Sequence, residues 1–223
     1  LIEKLRTEFE KLPALYIADG HHSSASSWLL AKESQAANPN HTGEEPYNFF
    51  MSFLIAESNL QLYEFNRMVT DLNGLSKKEF LIRLDEWFRI ENRGSEIYRP
   101  SKKHHFSMYL DGEFYSLYLR KSKYQVTDPL SGLDPYILYL KVLNPILGIE
   151  DLRNDHRIAY IPGKNESFEV KEAIDKGEFA VGFGMLPLSI EELKQVAEEG
   201  LIMPPKSTYI EPKLRSGLTI YEF

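Results

Sequence analysis

The stretch HFSMYLDGEFYSLYL, residues 105–119, determines the fold class because it has the pattern of two strands around a tight turn. Asp111 and Gly112 occupy the turn. Asp-Gly is a strong hairpin signal, since a type I′ turn needs a positive φ at both central positions. The stretch therefore predicts an antiparallel hairpin with strands at 105–110 and 113–119.

Short apolar runs on both sides of this hairpin predict further strands. They are residues 14–18 (ALYIA), 48–56 (NFFMSFLIA), 157–161 (RIAYI), 178–186 (EFAVGFGML) and 217–223 (GLTIYEF). In residues 178–186, bulky side chains alternate with Ala180, Gly182 and Gly184, which leaves one face nearly bare. A helix or another backbone is expected to pack closely against that face.

Helix signals lie between these strands. Capping boxes occur at Ser76 with Glu79 and at Ser189 with Glu192, and the first is expected to begin a helix that buries residues as far as Phe88. Other helices are predicted over residues 1–12, 21–35, 134–143 and 167–176. Because strands and helices do not alternate strictly, the sequence predicts an α+β fold with a mixed, largely antiparallel sheet and packed helices, in a single domain over residues 1–223.

Composition excludes several classes of protein. The 223 residues contain no cysteine, which excludes disulfides, thiolate zinc sites and thiol nucleophiles. The net charge of −7 disfavours DNA as a partner. No run approaches the about 20 apolar residues of a membrane span, so no membrane partner is expected. The chain starts at Leu1 without a signal-type segment, and we expect a C-terminal fragment of a longer cytoplasmic protein.

The segment YIADGHHSS, residues 16–24, is the main candidate site. A strand that runs into an Asp19-Gly20 turn and then a helix directs free backbone N–H groups and the positive end of a helix dipole at one point. Such a point binds phosphate, with Gly20 permitting close approach and His21, His22, Ser23 and Ser24 adding donors. One imidazole can also transfer protons near neutral pH. The alternative is structural, with Asp19 capping the helix, Gly20 making the turn and the histidines at the surface.

A second candidate is the loop MPPKSTYIEPKLRSG, residues 203–217. Its prolines favour an extended form, and Lys206, Lys213 and Arg215 concentrate positive charge in an acidic protein. With the hydroxyl of Ser207, the loop has the composition of a phosphate or carboxylate clamp. The alternative is a rigid loop whose basic residues pair with surface acids.

A metal site is not predicted. The adjacent residues His21 and His22 point about 100° apart on a helix, so they are poor joint ligands. Histidines at i and i+4 are absent from the sequence.

Five stretches resemble the DUF1015 family, bacterial and archaeal proteins without an established activity that are often associated with chromosome-partitioning ParB proteins. They are residues 16–22 (YIADGHH), 48–72 (NFFMSFLIAESNLQLYEFNRMVTDL), 108–120 (MYLDGEFYSLYLR), 143–163 (LNPILGIEDLRNDHRIAYIPG) and 203–218 (MPPKSTYIEPKLRSGL). The resemblance is to the C-terminal part of these proteins. It implies that an N-terminal region, which would be a partner of this chain, precedes Leu1.

More distantly, the DGHH turn resembles the phosphate-binding turn of the ParB/sulfiredoxin superfamily. Free-serine kinases of that superfamily carry a similar Asp-Gly-His-His-Arg motif, which implies catalytic roles for Asp19, His21 and His22 and a nucleotide such as ATP or ADP with Mg²⁺. Ser23 stands where the motif has Arg, so a guanidinium fork is lost. Another cation, Lys206, Lys213 or Arg215, should then lie near the turn. The carboxylate base of a kinase would come from the region before Leu1.

These observations predict a nucleotide- or phosphate-binding domain that acts as a kinase-like phosphotransferase on a small molecule. One alternative is a non-catalytic ParB-like regulatory or protein-interaction domain. Another is a metal-dependent hydrolase that uses His21 or His22 with acidic residues. Sulfiredoxin chemistry is excluded, because the chain has no cysteine.

Overall fold

A computed structural model describes residues 1–163, 167–213, 215 and 217–222. The chain forms two compact units. The first unit comprises Leu1–Leu60 and Ile210–Phe223, and the second unit comprises Gln61–Tyr209. The single domain expected over residues 1–223 stays a prediction.

Helices and strands occupy the described residues as follows. The α-helices are α1 (Ile2–Phe9), α2 (His21–Ala37), α3 (Lys77–Asp85), α4 (Asp134–Leu138), α5 (Ser167–Asp175) and α6 (Ile190–Glu198). The strands are β1 (Gln61–Tyr63), β2 (Phe65–Val69), β3 (Phe88–Gly94), β4 (His105–Leu110), β5 (Glu113–Leu119), β6 (Ile158–Pro162), β7 (Val181–Met185) and β8 (Tyr209–Glu211). Single turns of 3₁₀-helix lie at Pro46–Asn48 and Glu57–Asn59, and a π-helical turn, Tyr139–Leu143, continues α4. None of the described helices is long and apolar enough to cross a membrane.

The second unit is built on a six-stranded sheet with the strand order β3-β5-β4-β7-β2-β6. Every neighbouring pair of these strands is antiparallel. Strands β4 and β5 form the predicted hairpin, with φ of 51° at Asp111 and 79° at Gly112. The positive φ of both turn residues confirms the type of turn that the sequence predicts. The helices together with this antiparallel sheet confirm the α+β class.

The main core lies on one face of this sheet. Helix α3, helix α4 and the π-helical turn contribute side chains to the same buried cluster as the strands, including Leu84, Val142, Phe106 and Phe183. Each of these four side chains is fully buried. Burial of such a side chain contributes about 1.5–3 kcal/mol, so this face contributes strongly to the stability of the second unit.

Helix α5 covers part of the opposite face. A Cβ atom added to Gly182 would lie only 2.2 Å from Cγ1 of Val170 in α5. The close packing predicted against the bare face of residues 178–186 is therefore confirmed. The helix sits above the strand because Gly182 has no side chain.

Both capping boxes are present. The Ser76 hydroxyl accepts the Glu79 N–H and the Ser189 hydroxyl accepts the Glu192 N–H. However, α3 ends at Asp85, and Phe88 already pairs with Leu119 in the sheet. The prediction of a helix as far as Phe88 was wrong, because pairing with β5 outweighs local helical periodicity.

Three strand predictions in the first unit were also wrong. Residues 14–18, residues 48–56 and the described part of 217–223 form no strand, while Phe223 lies outside the described residues. An apolar run becomes a strand only where a neighbour accepts and donates its backbone hydrogen bonds. Within residues 1–60 no side chain is buried, and Ile17 and Phe53 remain more than half exposed.

Candidate functional site

The Asp19-Gly20 turn comes directly before α2. Oδ1 of Asp19 accepts the Gly20 N–H at 2.9 Å. Gly20 has φ of 80°, which is the left-handed region, and it is the N-cap residue of the 17-residue helix α2. A side chain at this position would be strained, so the turn requires glycine.

The first turn of α2 keeps its backbone donors available. The intrahelical hydrogen bonds begin with Ser24 N–H, which donates to the Gly20 carbonyl at 2.9 Å. Among the described residues, no side-chain oxygen caps the helix, and its first turn holds no acidic residue. The N–H groups of His21, His22 and Ser23 therefore point out of the helix start, where the helix dipole favours negative charge. Asp19 does not cap α2, because its carboxylate bonds Gly20 instead.

A lysine from the C-terminal segment lies at the same turn. Nζ of Lys213 is 3.0 Å from Oδ2 of Asp19. Partial burial raises the pKa of Asp19, but the Lys213 ammonium and the Gly20 N–H outweigh this effect, so that the pKa lies below its ordinary value of 3.8. The turn thus carries an ionised carboxylate and an ammonium group side by side.

The residues that follow Gly20 lie at the surface of the protein. The side chains of His21, His22 and Ser23 are exposed, and Ser24 is half-buried. The positive field of His21 also lowers the pKa of Asp19. Both imidazoles are therefore in contact with solvent.

The residues of the 203–217 loop divide between the two units. Lys213 and the exposed Arg215 belong to the first unit, with the turn. Lys206 and Ser207 belong to the second unit. Ser207 is buried, and its hydroxyl donates to the Pro204 carbonyl at 2.7 Å, so it serves the loop itself.

Lys206 is held by an arginine that sequence reasoning missed. Nη2 of the fully buried Arg67 donates to the Lys206 carbonyl at 3.2 Å, and Nη1 donates to the Phe65 carbonyl at 2.7 Å. Burial lowers the pKa of Arg67 to about 10. Lys206 has φ of 55° and places Nζ 5.4 Å from the centre of the Phe65 ring. The signal in the sequence was a single charged residue in the segment FNRMV, residues 65–69, where Phe65, Met68 and Val69 are apolar.

A ready metal site is not found in the described part of the chain. Among those residues, no group of three or more His, Cys, Asp or Glu side chains could hold a metal ion. Asp19 nevertheless supplies one ionised carboxylate at the turn. Mg²⁺ in phosphoryl-transfer sites is commonly held by one or two carboxylates together with the phosphates of the substrate.

Comparisons with known proteins found a match to a family model and to several solved structures. The sequence model of a protein family described as "Protein of unknown function (DUF1015)" matches residues 1–136. A mutant of a free serine kinase in complex with AMP is similar in structure, with a TM-score of 0.39 and 13% identity over 69% of this chain and 54% of that one. A conserved hypothetical protein from Pyrococcus furiosus has a TM-score of 0.41 and 12% identity over 68% of this chain and 56% of the other. The matched region spans about half the length of these solved structures. No curated protein matches the chain.

Proposed function

The chain belongs to the DUF1015 family of proteins of unknown function, and from that premise we propose that its first unit binds the phosphate of a nucleotide or of another small phosphorylated molecule. The site consists of the N–H groups of His21, His22 and Ser23, the Gly20 turn and the ammonium group of Lys213. In the whole protein, this site would serve a kinase-like phosphotransferase that acts on a small molecule.

Lys213 is the observation that carries the proposal. The sequence motif lacks its arginine at Ser23, and a phosphate site would need another cation beside the turn. Lys213 lies there, 3.0 Å from the Asp19 carboxylate. Lysine serves as a point charge for phosphate, in place of the bidentate contact that arginine makes.

Each residue has a chemical role in this proposal. Backbone N–H groups and Lys213 bind phosphate oxygens, and an imidazole of His21 or His22 donates a proton or a hydrogen bond to them. Asp19 orients Lys213 and offers a carboxylate for Mg²⁺, which neutralises phosphate charge in phosphoryl transfer when bound. We assign no general base among these residues and propose that another part of the whole protein supplies it.

Calorimetric titration tests the proposal. ATP, ADP, CTP and inorganic phosphate are titrated into the protein with and without Mg²⁺. Loss of one charge-assisted hydrogen bond weakens binding by about 1.5–3 kcal/mol, which is on the order of 10- to 150-fold. Lys213→Gln is expected to lower the affinity by that factor, and His22→Ala is expected to lower it while Tm stays nearly unchanged.

Lys32→Gln is the matched control. Lys32 lies on α2 about 16 Å along the helix from its first residue, at a rise of about 1.5 Å per residue, so its charge does not reach the turn. If none of the four ligands gives a heat of binding, the proposal of phosphate binding is contradicted. A large loss of stability in His22→Ala with unchanged affinity would show that the turn has only a structural role.

The second candidate is a non-catalytic regulatory or protein-interaction domain, and exposed apolar side chains favour it. Within residues 1–60 these include Leu15, Ile17, Trp28, Phe50 and Phe53, each at least half exposed. Where exposed apolar side chains form one contiguous patch, they commonly mark a surface that binds another protein. This candidate predicts no turnover and no change in nucleotide binding with Lys213→Gln.

A further inference from the structure

A cleft of about 280 Å³ opens on the surface of the second unit. Tyr139, in the π-helical turn, lines this cleft together with Pro204, Pro205 and Leu152. Leu152 is buried, and the other three residues are half-buried. A tyrosine and two prolines thus offer flat, largely apolar surfaces to a ligand, and we name this space the proline cleft.

The residues that line the proline cleft are fixed by hydrogen bonds within the protein. The Tyr139 hydroxyl donates to the Glu150 carbonyl at 2.9 Å, and the Tyr160 hydroxyl donates to the Leu152 carbonyl at 2.8 Å. Because Tyr160 belongs to β6, the second bond connects Leu152 to the sheet. A cleft held in this way is preformed, so a ligand loses little affinity to the ordering of the residues that it contacts.

The buried Arg67 holds the loop that contributes the two prolines. Its Nη2 donates to the Lys206 carbonyl at 3.2 Å, and its guanidinium lies 5.7 Å from the centre of the Tyr160 ring. In the part of the chain that the structure describes, no carboxylate pairs with Arg67. Burial of a charge without a counter-ion costs stability. Because Arg67 contacts both the proline loop and the tyrosine that bonds Leu152, this cost maintains the shape of the proline cleft.

Three exposed charged residues also line the proline cleft, and they are Glu150, Asp151 and Arg153. The Asp151 carboxylate accepts the Asn154 carboxamide at 2.7 Å and the Arg153 N–H at 2.8 Å. These bonds and the Arg153 guanidinium lower the pKa of Asp151, so its negative charge is present and is offset by Arg153. Across residues 1–163, 167–213, 215 and 217–222, no hydrogen bond or ion pair involves the Glu150 carboxylate. One negative charge therefore remains beside a largely apolar cleft.

We propose that the proline cleft binds a small molecule in which a flat ring carries a cationic amine. The ring packs against Tyr139, Pro204 and Pro205, as aromatic and proline rings do in peptide-binding grooves. The ammonium group pairs with the Glu150 carboxylate, and the Tyr139 ring attracts a cation as well. Ligand pockets commonly measure about 300–1,000 Å³, so a cleft of about 280 Å³ takes a single ring with a short arm. The proposal does not rest on phosphate binding, because no residue of the first unit takes part.

Ligand-observed NMR titration of the full chain at neutral pH tests this proposal. The probes are phenethylamine, phenethyl alcohol and phenylacetate, which share one ring and differ in charge. Concentrations reach about 10 mM, because fragments of this size bind weakly. The affinity is expected to fall from the amine to the alcohol to the acid, with about two- to fivefold between the first two, as for a solvent-exposed ion pair. Absence of amine binding, or equal affinity for all three probes, overturns the proposal.

Substitutions locate the binding in the proline cleft. Glu150→Gln removes a carboxylate without a partner in the described chain, so it should keep Tm and abolish the preference for the amine over the alcohol. Glu172→Gln is the matched control, since this exposed carboxylate lies on α5, across the sheet from the π-helical turn. Pro205→Ala reduces the apolar lining and should weaken all three probes alike. A preference that survives Glu150→Gln overturns the proposal. So does loss of amine binding in Lys213→Gln, which would place the probe at the turn of the first unit, whereas loss of phosphate binding alone in that variant leaves the two sites separate.

Discussion

Gly182→Ala tests how closely α5 packs on the sheet. The new methyl carbon would lie 2.2 Å from Cγ1 of Val170 and 3.1 Å from Cδ1 of Ile174. Ordinary carbon contacts are about 3.5–4.0 Å, so Val170 must retreat by more than about 1 Å. Overpacking of this kind costs about 1–3 kcal/mol.

The change should be visible in thermal unfolding. For a protein of this size, 1 kcal/mol corresponds to about 2–4 °C in Tm, and a cost of about 2 kcal/mol therefore predicts a decrease of about 4–8 °C. Circular dichroism or calorimetry would measure it. Gly132→Ala, whose methyl meets only Val126 at 3.3 Å and the Pro129 carbonyl at 3.6 Å, should change Tm much less.

A double-mutant cycle locates the strain. Val170→Ala removes the methyl group that the new Cβ of Gly182→Ala would meet, so the two substitutions together should cost less than the sum of the single variants. An unchanged Tm for Gly182→Ala, or strictly additive effects, would refute the close packing of helix and strand.

Three further changes address local contacts and pH. Ser76→Ala removes the oxygen that accepts the Glu79 N–H, and should lower the free energy of unfolding by about 1 kcal/mol in a urea titration. Burial raises the pKa of Asp134 from 3.8 to about 6, although the His104 N–H opposes this effect. The folded state therefore holds a proton that the unfolded chain has released, and this contribution to stability falls as the pH rises from 3.8 to about 6. Asp134→Asn should lack that fall, and parallel stability curves of the two proteins between pH 4 and 7 would contradict the assignment. Lys77 and neighbouring donors lower the pKa of Glu113 from 4.5 to about 2, so its contribution is present above pH 4.5 and lost as the pH falls through about 2. Glu113→Gln should unfold at a higher pH than the natural protein in an acid titration, and an identical midpoint would exclude the role of this ion pair.

Part of the candidate site could be predicted from the sequence, because that part depends only on neighbouring residues. The DGHH turn and the start of α2 follow from adjacent residues, since Gly20 supplies the left-handed φ and the helix begins next to it. The resemblance to the kinase motif also led us to expect Lys206, Lys213 or Arg215 near the turn, without deciding which one. Lys213 takes that place only through the path of the chain between residues 20 and 213, which no local pattern contains.

The sequence by itself determined the features that depend on interactions between neighbouring residues. These are the Asp111-Gly112 hairpin, both capping boxes and the glycine turn before α2. Tertiary structure alone decided which apolar runs become strands, where Arg67 is buried and which cation reaches Asp19. The reason is physical. A turn or a cap is completed by atoms a few residues away, whereas a strand or a paired charge needs a partner that only the folded chain brings near.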